Sequence, residues 1–211
     1  MDTTTQQFSG PLSRPHGRTR TAGPADRVRT ILREPFRAET WRRTAYILLA
    51  LPVALVCVPV ALLGGPAGRI QRGLARRLLR IDVDEVPRTG PLALVHAVVT
   101  IPLDLAAAAF TAYFWFVAAI NWGFPLRPGI DPSSSWGGPT MAGAWAVHAA
   151  GGGVVFLLLT PWVVKGFTAL QARLVAGFLG ADRSGLPRTI ALALGVAVLC
   201  SLVSIPLIHQ L

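Results

Sequence analysis

Long uncharged stretches alternate along this chain with short arginine-rich ones, and that alternation predicts its elements. Residues 141–164 carry no formal charge. At about 1.5 Å per residue they are long enough to cross a hydrocarbon core of about 30 Å. Lys165 marks the exit. Beyond it Leu170, Leu174 and Phe178 recur at four-residue spacing, with Gln171 and Arg173 off the stripe. This spacing predicts an amphipathic helix over 167–180 lying on the membrane surface. A span that bends at its cytoplasmic exit into a surface helix suits the passing on of a change of state. That makes Leu170, Leu174 and Phe178 candidate signal-transmitting residues, although a passive anchor has the same shape.

The other runs follow the same logic. Thr40-Trp41-Arg42-Arg43 introduces an apolar segment, 45–63, which contains Pro52 and Pro59. After Gly64-Gly65-Pro66 a basic amphipathic helix is expected, with Ile70, Leu74, Leu78 and Ile81 on one face. Arg69, Arg72, Arg76 and Arg80 form its opposite, lipid-surface face. Arginines on both sides of 45–63 conflict with a single crossing under the positive-inside rule. A re-entrant or Pro-kinked hairpin within the segment resolves the conflict, and a crossing stays open. Pro102 is expected to divide the run 91–122 into an entry segment and a span over 103–122. The turn-rich loop 123–140 suits the external side. A last span, 190–207, would leave the C-terminus outside.

Of the 20 Lys and Arg residues, one lies in 123–140, six in 64–90 and four in 164–188. The arginine-poor loop is therefore expected outside and the N-terminus in the cytoplasm. At an offset of 100 residues Gln71 meets Gln171, Leu74 meets Leu174, Leu79 meets Leu179 and Asp82 meets Asp182. Two halves, each an apolar unit followed by a surface helix, would produce that repeat.

Composition sharpens the class. Hydrophobic residues make up 52% and charged ones 14%, against about 25% charged in an ordinary soluble domain. The fold class is all-α, a polytopic integral membrane protein with three or four transmembrane helices and cytoplasmic amphipathic interfacial helices. The net charge of +10 flanks apolar runs, so anionic lipid explains it and nucleic acid does not. Arginine almost without lysine is associated with GC-rich bacterial genomes, which places the chain in a bacterial cell membrane. Cys57 and Cys200 both fall within apolar runs and imply no disulfide framework. Residues 1–35 read as a disordered basic cytoplasmic tail with a short helix from Asp26, 36–181 as the membrane domain, and 182–211 as an additional C-terminal transmembrane helix.

Little conventional chemistry is legible. No metal-ligand spacing, nucleophile motif or phosphate-cradling loop occurs, so no catalytic residue, metal site or cofactor is expected. The ionisable residues inside apolar runs are His96, Asp104 and His148, functional candidates because a charge there is costly. Asp104 with His148 would serve a proton relay or pH sensor; Asp104 could equally cap a helix after Pro102. Gly151, Gly152 and Gly153 lie within a span, as a packing face or a hinge.

Three stretches carry a resemblance: T-W-R-R-T-A-Y (40–46) before an L-L-A-L-P run, G-G-P-T-M-A-G-A-W-A-V-H-A-A-G-G (137–152), and T-P-W-V-V-K-G-F-T-A-L-Q-A-R-L-V-A-G-F-L-G (160–180). The chain resembles the actinobacterial membrane sensor domain family, the region ahead of many two-component histidine kinases and also found alone. The resemblance spans roughly 36–181 and implies two transmembrane hairpins, each followed by a surface helix, with no catalytic residues. The first hairpin is shortened here, and no kinase region follows Gly180. The resulting expectation is a non-enzymatic sensor-like regulatory subunit acting through a histidine kinase or another membrane partner, with a homo-oligomer left open. The alternative is a small transporter or transporter accessory subunit.

Overall fold

A computed structural model describes residues 23–84, 90–181 and 183–208. Most of the tail expected to be disordered, and the extreme C-terminus expected outside, lie beyond the described residues. The described chain contains helices and no strand: α1 (Pro24–Arg33), α2 (Ala38–Leu62), α3 (Ala67–Leu79), α4 (Gly90–Trp122), α5 (Met141–His148), α6 (Val155–Leu179) and α7 (Leu186–Ile208). A π-helical turn, Ala149–Val154, joins α5 to α6 without a break. Four helical units are long and apolar enough to cross a membrane: α2, α4, the joined α5–α6 and α7. This is an all-α, multi-pass membrane protein.

Three sequence expectations change. The segment 45–63 is no hairpin; it belongs to one continuous helix of 25 residues, with Pro52 and Pro59 inside it. Packing against neighbouring helices lets a membrane helix tolerate the hydrogen bonds that proline removes. The reversal comes just afterwards. Gly64 has φ +74°, and a Cβ on Gly65 would lie 2.8 Å from Val60 Cγ1 and 2.9 Å from its carbonyl oxygen. Two glycines are therefore needed there, and α3 turns back so that Ala67 O lies 3.7 Å from Cys57 Sγ. Pro102 likewise divides nothing, since α4 runs for 33 residues through it.

The third change concerns Lys165. No bend occurs there, and Met141–Leu179 forms one helical unit of 39 residues, about 58 Å long. Leu170, Leu174 and Phe178 are buried in the main apolar core instead of facing a membrane surface. A stripe at four-residue spacing looks the same whether lipid or protein covers it, so periodicity could not choose between them.

Helix α4 runs antiparallel to α6, with Asn121 beside Gly152 and Asp104 beside Gln171. Helix α2 is antiparallel to α4: Trp41 stacks on Trp115 at 4.6 Å. Small residues carry much of the close contact, among them Ala50, Ala93, Ala97, Ala107 and, on α7, Ala193. Such residues let membrane helices approach closely. The outer face of α7 exposes Leu192, Leu194, Val198, Leu199 and Leu202, as a lipid-facing helix would.

The arginine face of α3 also needs correction. Arg69, Arg76 and Arg80 are exposed, but Arg72 is 5% exposed and donates from Nη1 to Leu179 O at 3.4 Å. A guanidinium at the last carbonyls of α6 is favoured by the helix dipole as well as by the hydrogen bond. Arg72→Ala is expected to cost about 2 kcal/mol, the range of a hydrogen bond to a charged group. Arg69→Ala should stay within about 0.5 kcal/mol. Denaturation of both variants in micelles checks this. Equal, negligible losses would return Arg72 to the lipid face.

Candidate functional site

The polar residues of the interior converge at one place. Tyr46 and Ala50 from α2, Gln71 and Leu74 from α3, His96, Thr100 and Asp104 from α4, and Gln171 and Val175 from α6 line a cavity of about 20 Å³. That volume holds one water-sized species. Asp104 is 3% exposed and accepts a hydrogen bond from Gln171 Nε2 to Oδ1 at 2.6 Å. No arginine, lysine or histidine among the described residues forms an ion pair with it. Gln71 donates to Ala93 O at 3.5 Å, a long contact.

Several buried polar atoms around this cavity lack a hydrogen-bond partner: Gln71 Oε1, Gln171 Oε1 and both ring nitrogens of His96. The His96 ring packs edge-on against Phe178 at 5.7 Å. Buried polar groups are ordinarily satisfied, and each one left open calls for an explanation. Four neutral or anionic side chains from three helices, facing one small void, form the feature of this protein with the most chemical potential.

In the sequence the two glutamines stood out as a matched pair in the offset of 100 residues, and Gln171 also as a polar position off the apolar stripe. The structure brings both to the same cavity from different helices. Thr100 and Tyr46 gave no signal beyond lying in apolar runs. Asp104 was singled out, but with the wrong partner. His148 lies near the other end of the α4–α6 contact, stacked on Phe124 at 4.0 Å, with Nδ1 2.8 Å from Ala144 O. The carbonyl can only accept, so Nδ1 carries the proton. Seventeen residues of α4, roughly 25 Å, separate the Asn121 level from Asp104. Asp104 and His148 therefore form no pair.

The glycines occupy a second notable place. Gly152 lies against the Asn121 side chain and Gly153 against the Trp122 indole, so these two serve close packing, while nothing approaches Gly151. They sit in the π-helical turn, a local departure that often marks functional positions in helices.

Midway along α6, Lys165 pairs with Glu34, and Arg37 reaches the same carboxylate at 3.1 Å. The Lys165 hydrogen bond, with Arg37 adding to it, holds the Glu34 carboxyl below its ordinary range. This contact clamps the segment before α2 to the middle of the long helix. Among the described residues no group of three or more His, Cys, Asp or Glu side chains could hold a metal ion. The chain matches no family model, no curated protein and no solved structure.

Proposed function

We propose that this chain is a non-enzymatic, sensor-like regulatory subunit of a bacterial cell membrane, with its N-terminus in the cytoplasm, acting through a partner protein. The observation that carries the reading is the single helical unit Met141–Leu179. At one end it grips Asn121 and Trp122 through glycines, in the middle it holds Glu34 through Lys165, and near the other end it holds Asp104 through Gln171. A shift at the loop end is carried along one rod to the α3 surface and to the N-terminal segment. Helix α1 there exposes Val28, Ile31 and Leu32 beside Arg27, Arg29 and Arg33. The resemblance to the actinobacterial membrane sensor domains points the same way.

Mild-detergent co-purification of the tagged chain from its native membrane tests the proposal. A histidine kinase or response regulator in the complex is the expected result. Recovery of the chain alone, or as a homo-oligomer alone, would count against it. The uncompensated Asp104 favours a second reading, a small transporter or transporter accessory subunit, because intramembrane carboxylates often mark ion pathways. Co-purification of a permease or ATPase, with liposome flux lost in Asp104→Asn, would establish that reading in its place.

A further inference from the structure

The cavity between α2, α3, α4 and α6 has the composition of a small-cation site. Asp104 brings a carboxylate that is 3% exposed and meets no counter-ion among the described residues. An isolated buried carboxylate is among the costliest groups a protein interior can hold, and it is kept only when its charge is offset. Gln171 cannot offset it, because an amide donor is neutral.

The remaining lining supplies what a cation needs. Gln171 is bound to Asp104 through Nε2, which fixes the orientation of its amide and turns the unpartnered Oε1 to other use. Gln71, 5% exposed, donates through Nε2 to Ala93 O and likewise leaves Oε1 unpartnered. Gln71 and Gln171, each with an unpartnered amide oxygen, line together with Asp104 and Thr100 a void with room for one water-sized species. Oxygen ligands of this kind suit hard cations, and one carboxylate balances a single positive charge. A water alone would satisfy the open acceptors but would leave the carboxylate charge standing.

The other ionisable groups near the cavity do not supply the positive charge. Tyr46 faces it from α2, with Cys57 farther along that helix, and both are neutral or anionic. Arg72 on α3 reaches Leu179 O and does not line the cavity. His96 on α4 lines it and lies outside ion-pair reach of Asp104. From α6 the lining is Gln171 and Val175, and α7 contributes none of it.

We infer that this cavity binds one monovalent positive charge, held by Asp104 with Gln71 Oε1 and Gln171 Oε1, either as a sodium-sized alkali cation or as a proton carried on the carboxylate or a water. The inference does not rest on the regulatory reading, since a chain without a partner would bind the charge equally.

Thermal unfolding of the purified full chain in micelles tests it, in sodium, lithium or potassium chloride against N-methylglucamine chloride at equal ionic strength, over a range of pH. A midpoint raised by about 5 °C in sodium or lithium at fixed pH, and absent from Asp104→Asn, is the result expected for an alkali cation. A midpoint that rises as pH falls, indifferent to the salt and flat in Asp104→Asn, assigns the charge to a proton. Asparagine keeps the acceptor for Gln171 and removes only the charge. Should that variant fail to fold, Gln71→Leu serves, with the sodium concentration at half-effect raised about tenfold or more, or the pH midpoint displaced. A wild-type midpoint indifferent to both cation and pH overturns the inference. So does a sodium effect of full size in Asp104→Asn and Gln71→Leu alike.

Discussion

Replacing Leu174 by glutamate is expected to destabilise this protein by more than about 4 kcal/mol and to leave little folded material in the membrane. Leu174 is fully buried within the core formed by α2, α3, α4 and α6. A glutamate there would lose leucine's apolar burial and place an unpaired charge beside a cluster that already contains Asp104. Leu174→Ala should cost about 3 kcal/mol from lost transfer energy and cavity formation. Equilibrium unfolding in mixed micelles reads both. The contrast with a surface helix is sharp, because an exposed interfacial leucine changed to glutamate would weaken lipid contact and leave the fold intact. A stable, well-folded Leu174→Glu chain would show that 167–179 is not the inner wall of the bundle. The same residue is thus a poor probe of signalling, since its loss of function would report folding.

Gly152→Leu is the second large effect, at about 2–3 kcal/mol. A Cβ on Gly152 would lie 2.3 Å from Asn121 Cγ and 2.5 Å from its Nδ2 and Oδ1. Asn121 cannot swing away freely, because its Nδ2 donates to Val117 O at 2.8 Å. Either that bond breaks or α5–α6 shifts against α4. Leucine's better helix propensity returns only about 1 kcal/mol. Gly151→Ala is the matched control: nothing lies within 4 Å of its Cβ position, and a neutral or slightly stabilising result is expected. If the two variants unfold at the same denaturant concentration, the close contact at Gly152 does not exist. In the regulatory reading Gly152→Leu also displaces the rod at one end, so partner output should change even where enough folded chain remains. Unaltered output from a displaced rod would sink that mechanism.

Much of the architecture could be read without coordinates. Uncharged runs of span length located α2, α4, α5–α6 and α7, and the doublet Gly64-Gly65 marked a break that the structure realises as a reversal. Asp104 stood out because a carboxylate within an apolar run is expensive wherever it lands. Gln171 did not stand out as its partner, because glutamine is uncharged and common on helix surfaces. Helix contacts link residues far apart in sequence: Asp104 meets Gln171 across 67 positions. His148 looked equivalent to Asp104 by polarity alone and lies at another level of the bundle.

Membrane class and the places of the apolar runs were therefore determined by the sequence, because both depend on local composition summed over a window. Which side of each helix is covered, and by what, was decided only by the tertiary structure. Prolines 52, 59 and 102 and Lys165 are local signals for a break, yet packing along α2, α4 and α6 overrides all of them. The stripe Leu170, Leu174 and Phe178 is satisfied equally by lipid and by protein, and Arg72 is satisfied equally by a phosphate and by the carbonyl of Leu179. Periodicity records that a face must be covered. Only the position of α2, α3 and α4 around α6 says that protein covers it, and that the same covering closes a polar cavity around Asp104.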